Sequence, residues 1–86
     1  MASKRIVFSP HAREKALDRG ASESEVRAAI LSGSPEPARK GRVMFRKNFA
    51  FDCCWRGKHY SVKQVAPVIV EEEDRIVVVS VYVYYF

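Results

Sequence analysis

Apolar residues recur along this chain with two periods: helical spacing in the first third and, from residue 42 onward, alternation at every second position, as side chains alternate on a pleated strand. Arg5-Ile6-Val7-Phe8 is short, β-branched and aromatic and stops at Ser9-Pro10, so it reads as a brief strand or extended lead-in. Ser9 is placed as a helix N-cap, with Pro10 at the first helical position, where a missing N–H costs nothing. That helix is predicted through His11–Arg19, ending at Gly20, which takes up the left-handed conformation of a helix terminus without strain. Ser22 and Glu25 then form a capping box. The second helix carries an apolar stripe of Val26, Ala29 and Ile30, and Gly33-Ser34-Pro35-Glu36-Pro37 ends it.

Arg42–Lys47 alternates as a strand, and a second apolar patch, Phe49–Trp55, leads to the turn Arg56-Gly57-Lys58. His59–Val70 and Arg75–Phe86 read as long strands joined by an acidic hairpin tip, Glu71-Glu72-Glu73-Asp74. The predicted class is α+β, with two N-terminal helices packed on one face of a C-terminal antiparallel sheet of about three to five strands. At 86 residues the chain has length for one hydrophobic core, hence a single domain over residues 1–86.

Composition sharpens this picture. Apolar residues at 48% and charged residues at 29% are the balance of a folded domain. Cys53 and Cys54 are adjacent, too close for an unstrained intrachain disulfide. With His11 and His59 as the only histidines, they do not assemble a zinc site at normal spacing. No cofactor or metal is expected. The charged N-terminus from Met1 to Phe8 lacks the apolar stretch of an export signal, and no apolar run is long enough to span a membrane, so the cytoplasm is the expected compartment. Residues 1–47 carry eleven Lys or Arg against five Asp or Glu, whereas residues 48–86 carry four against five. A basic excess of this kind favours phosphate backbones or acidic proteins as partners.

Splitting the strands by parity gives the candidate chemistry. Val77, Val79, Val81, Val83 and Tyr85 form the apolar parity of the last strand, and Tyr60, Val62, Ala66, Val68 and Val70 that of the one before. If the helices cover that side, Arg42, Arg46, His59, Lys63, Ser80, Tyr82 and Tyr84 share the other. This set combines phosphate-neutralising cations, rings on which bases stack, and groups that exchange protons. Pro67, which donates no ladder hydrogen bond, marks a place where parity can slip. After such a slip His59, Ser61 and Lys63 leave the face and Tyr82 stays. The same residues also have structural uses: tyrosines pack across strands, lysine stems cover rings and arginines guard sheet edges. His11, near a helix N-terminus, is expected to be neutral and to tie its helix to the sheet by a hydrogen bond.

Three segments, Phe8-Ser9-Pro10-His11-Ala12, Asp18–Val26 and Asp74–Tyr82, carry the motifs S-x-H-A, R-G-x-S-E-x-E-V and I-V-V-V-x-V-Y. Together these resemble the small prokaryotic family catalogued as domain of unknown function 4258, over most of the chain. That family is similar in layout to the RelE and ParE toxins, some of whose relatives cleave messenger RNA. The resemblance places signature positions at His11, Arg19 and Tyr82. It sets Lys63, Arg46, Tyr82 and Tyr84 where RNA-cleaving relatives use lysine, arginine and tyrosine. The stretch Phe49–Trp55 and the tail Val83-Tyr84-Tyr85-Phe86 depart from the simplest pattern.

Two functions follow as expectations. In a metal-independent ribonuclease acting on single-stranded RNA, Arg46 and Lys63 would stabilise charge on the scissile phosphate, His59 or Tyr84 would move protons, and Tyr82 would stack a base, with His11, Arg19 and Arg42 contributing to binding. An acidic antitoxin-like protein is the partner expected of such an enzyme. In a non-catalytic module, the same face binds nucleic acid or an acidic protein.

Overall fold

The computed structural model describes residues 4–86; positions 1–3 of the N-terminal stretch read above for an export signal lie outside the described residues. In chain order the elements are β1 (Arg5–Phe8), α1 (Pro10–Arg19), α2 (Glu23–Ser32), β2 (Ser34–Pro37), a short 3-10 turn (Arg39–Gly41), β3 (Val43–Trp55), β4 (Lys58–Glu71) and β5 (Arg75–Tyr85). The fold is α+β, helices first and most of the sheet after them. The five strands are ordered β1-β5-β4-β3-β2, with β1 parallel to β5 and every other neighbour antiparallel.

Local chemistry sets the helix boundaries as the sequence predicts. Ser9 Oγ accepts the Ala12 N–H at 3.1 Å, and Pro10 opens α1. Gly20 closes it at φ +83°, a left-handed conformation that other residues adopt only with strain. Packing demands glycine there as well: a Cβ at this position would sit 2.6 Å from Tyr85 Oη and 2.8 Å from the Trp55 ring. Ser22 and Glu25 cap α2 reciprocally, each bond 3.0 Å long.

Two segments differ from the sequence reading. Ser34–Pro37 does more than end α2; it is an edge strand paired with Val43–Arg46. Prolines 35 and 37 are tolerated because an edge strand has a side that owes no hydrogen bonds. Phe49–Trp55 is not a separate patch but the continuation of β3, with the register shifting between Ala50 and Cys53 and Asp52 at φ 44°.

The core is a cluster of Phe8, Ala12, Ala16, Ala21, Val26 and Ile30 against Val65, Ile69, Val78 and Val81. Helix α1 lies against β5, and α2 against β3 and β4. Small alanines on α1 let its backbone approach the valines closely. Val43, Phe45, Phe49 and Val83 pack at the margin.

These contacts correct the predicted parity. The β4–β5 register shifts between Val68 and Ile69, leaving Val79 as an extra residue in β5. Such a bulge flips the side to which following residues point. Val78 reaches the core before it, and Val81 and Val83 after it. In β4 the helix-contacting residues are therefore Lys63, Val65 and Ile69, not Val62, Val68 and Val70. The slip foreseen at Pro67 does not occur: β4 keeps one parity through Pro67, and the extra residue lies in β5, at Val79. Among the described residues no helix is long and apolar enough to cross a membrane.

Candidate nucleic-acid interface

Residues that alternate with the core positions of β3, β4 and β5 line an open concavity of about 380 Å³. Met44, Val68 and Ser80 lie side by side across three strands and make its floor. Tyr82 and Tyr84 rise from β5, and Arg42 and Arg46 come from the β3 side. Glu36, Pro37, Ala38 and Arg39, from β2 and the turn after it, form the far rim.

Arg46 is the most constrained of these side chains. Its Nε–H donates to Glu36 Oε1 and its Nη1–H to Gln64 Oε1, both at 2.9 Å. Gln64 in turn donates through Nε2 to Asn48 Oδ1 at 2.8 Å. The guanidinium carbon lies 5.5 Å from the Tyr84 ring centroid, within cation–π range. The Glu36 hydrogen bond raises the Arg46 pKa above its ordinary value. A cation fixed in this way presents its remaining donors in one direction, which suits a phosphate oxygen.

A second arginine holds Tyr82. Arg19, at the end of α1, reaches the edge of β5, donates Nη1–H to the Val81 carbonyl at 2.8 Å and stacks 5.0 Å from the Tyr82 centroid. Tyr82 and Tyr84 remain 39% and 42% exposed. Both rings are thus held by arginines while a large part of each faces solvent.

The family profile described as a domain of unknown function, DUF4258, matches residues 8–83. The chain belongs to this family. No curated protein and no solved structure matches it.

Within this DUF4258 domain the residues singled out from sequence separate into two groups. Arg42, Arg46, Ser80, Tyr82 and Tyr84 meet at the concavity, and Arg19 touches it through Tyr82. Lys63 does not. It is 7% exposed and points to the helices, where Nζ donates to Glu25 Oε1 at 2.8 Å and to the Gly20 carbonyl at 3.0 Å. Its place on the face with Arg46 and Tyr84 is corrected by the β4 register, in which Lys63 pairs with Tyr85 and Gln64 with Tyr84.

His59 shares the Lys63 parity and lies beside the β3–β4 turn, with Nε2 2.9 Å from Asp52 Oδ1. It lies five positions before Gln64, about 16 Å along a strand. It is therefore distant from Arg46 and Tyr84. His11 is exposed on α1, and among the described residues its side chain makes no hydrogen bond to the sheet. The expected tie is supplied by other groups: Tyr85 Oη donates to the Arg19 carbonyl at 2.7 Å, and Lys63 bridges to Gly20 and Glu25.

Glu36, Arg39 and Gln64 belong to the site and were not visible as such. Glu36 sits between the two prolines of the segment that reads as a helix stop, and Arg39 lies in the stretch after it, which carries no predicted element. Gln64 reads as a polar interruption in an apolar parity. Its signal lay in that interruption, since a glutamine facing a core would have no partner.

Proposed function

We propose that this DUF4258 domain binds single-stranded RNA across the concave sheet face, in a RelE- and ParE-like layout with both helices packed on the opposite face. The observation that carries the reading is Arg46, held by Glu36 and Gln64 beneath the Tyr84 ring and beside Arg42, Arg39 and Tyr82. Phosphates meet the three arginines, and a base lies against Tyr82 or Tyr84. Single strands suit this face because their bases are free to stack on a side-chain ring. Arg19 fixes Tyr82 before binding, which lowers the entropy lost when a base stacks.

Strand cleavage is the second reading, favoured by one contact: the Glu36 carboxylate lies 2.9 Å from Arg46 Nε. It would accept the proton of a ribose 2′-hydroxyl as that oxygen attacks the adjacent phosphorus. Arg46 would stabilise the added negative charge, and the Tyr84 hydroxyl would protonate the departing 5′-oxygen, leaving a 2′,3′-cyclic phosphate. Lys63 and His59 have no role in this scheme.

The test is fluorescence anisotropy with an end-labelled RNA of mixed sequence, followed by electrophoresis of the same sample. Saturable, salt-sensitive binding that Arg46→Ala weakens supports the RNA face. Shortened RNA ending in a cyclic phosphate, absent with Glu36→Gln, supports cleavage as well. No binding at low salt contradicts both.

A further inference from the structure

Strand β5 has a free edge. β1 pairs with Arg75–Val78, and among the described residues the stretch beyond it has no strand neighbour on that side. The phase of its backbone groups follows from the Phe86–Val62 pair, which exchanges both hydrogen bonds, at 2.8 and 3.1 Å. Bonded and non-bonded pairs alternate along an antiparallel ladder. Tyr84 and Tyr82 therefore turn their backbone groups to β4, and Val81, Val83 and Tyr85 turn theirs outward. Two contacts agree with this phase: the Val81 carbonyl accepts from Arg19, and Pro67, without an N–H, lies opposite Val81.

We infer that the outward edge of β5 from Val81 to Tyr85 is a strand-addition site for an extended acidic segment of a protein partner. Natural sheets blunt their edges with lysine, proline, bulges or inward charges. Val81-Tyr82-Val83-Tyr84-Tyr85 contains no lysine, proline or other charge, and Arg19 covers a single carbonyl. Beside the edge runs a groove of about 220 Å³ lined by Asp18, Arg19, Trp55, Arg56, Val83 and Tyr85. Arg19 is anchored at Val81, and Arg56 donates Nη2–H to the Asp18 carbonyl at 3.2 Å while lying 5.1 Å from the Trp55 ring.

An added strand gains main-chain hydrogen bonds at Val83 and Tyr85 and meets two guanidiniums against one carboxylate, which selects acidic side chains. A second copy of this chain fits less well, since pairing edge to edge brings Arg19 and Arg56 of each copy together and joins two molecules of net charge +5. The inference does not rest on RNA binding: it uses the edge amides, and the two surfaces share only Arg19, which stacks on Tyr82 and lines the groove.

The test uses the whole protein and a capped peptide of about seven alternating valines and glutamates, a length that covers a typical strand. Amide exchange is followed by NMR. The peptide is expected to bind saturably and to slow exchange at Val83 and Tyr85 while leaving Tyr82 and Tyr84, already bonded to β4, unchanged. Methylating its alternate amides, or replacing glutamate by lysine, is expected to weaken binding by at least about tenfold, the loss of one or two good hydrogen bonds or charge pairs. Equal binding of the methylated peptide overturns the inference, as does protection at other strands or no binding up to roughly 1 mM, the weak end of specific recognition. Slow exchange of Val83 that depends on protein concentration alone would replace the acidic partner by a second copy and overturn it too.

Discussion

Lys63 Nζ and Glu25 Oε1 are 2.8 Å apart, joining the centre of the sheet to the first turn of α2. The lysine side chain is 9% exposed and the glutamate 24%. Nζ also satisfies the Gly20 carbonyl, so one buried ammonium holds the turn between the two helices. A lone buried ammonium is costly, and its presence here is explained by these two acceptors.

Lys63→Ala is expected to destabilise the fold by about 2–3 kcal/mol, because it leaves a partly buried carboxylate and a carbonyl without their donor. The double variant with Glu25→Ala should lose less than the sum of the two singles, by at least about 1 kcal/mol. Urea unfolding of the four proteins measures the coupling. At temperatures where Lys63→Ala is fully folded, its RNA affinity should match that of the wild type.

Stability should fall in acid through Glu25. Burial pushes its carboxyl pKa up, but the Lys63 hydrogen bond, the Ser22 bonds and the Lys63 charge outweigh burial and hold it below the ordinary value. The unfolded chain therefore binds this proton more readily than the folded one. The stabilisation is complete above the ordinary carboxylate pKa and disappears as pH falls through the lowered folded value. Urea midpoints measured across acid pH should show this slope in the wild type and a shallower one in Glu25→Gln.

Gly20→Ala should cost about 2 kcal/mol or more, since it combines a left-handed backbone with a forced displacement of neighbours. The added Cβ meets Tyr85 Oη and the Trp55 ring, which stacks on Tyr85 at 5.0 Å. A fall in melting temperature with an altered tryptophan emission spectrum would report it. An unchanged spectrum would contradict the close packing of Trp55 on Gly20.

Helix caps and turns were legible in the chain because their determinants are local. Ser9-Pro10, Gly20 and the Ser22–Glu25 box each act within about one helical turn. Sheet faces were legible only where one parity is clearly apolar. In β4 both parities are rich in Val, Ile, Ala and Pro, and Ala66, Pro67, Val68 and Ile69 are all buried. Pattern alone could not choose between them. The choice was made by the extra residue at Val79 and by Glu25, a partner 38 residues away that makes burial of Lys63 tolerable. Tyr82, Tyr84, Arg42 and Arg46 kept their predicted company because their parities are unaffected by that choice. β2 was hidden by its prolines, and with it Glu36.

Tyr82 should contribute through its ring. Tyr82→Ala is expected to weaken RNA binding by about 1–3 kcal/mol, the usual worth of one base stacked on an aromatic side chain. Tyr82→Phe should retain most of it. Equal losses in both variants, measured by anisotropy at one salt concentration, would assign the effect to the hydroxyl and contradict stacking.

The salt dependence of RNA affinity tests the central claim most directly. Each arginine that neutralises a phosphate contributes about −0.7 to the slope of log K against log salt for a single strand. Arg42→Ala and Arg46→Ala are predicted to reduce the slope by about that amount each and Lys63→Ala to leave it unchanged. An unchanged slope in both arginine variants, or a reduced one in Lys63→Ala alone, would contradict an RNA site on this face.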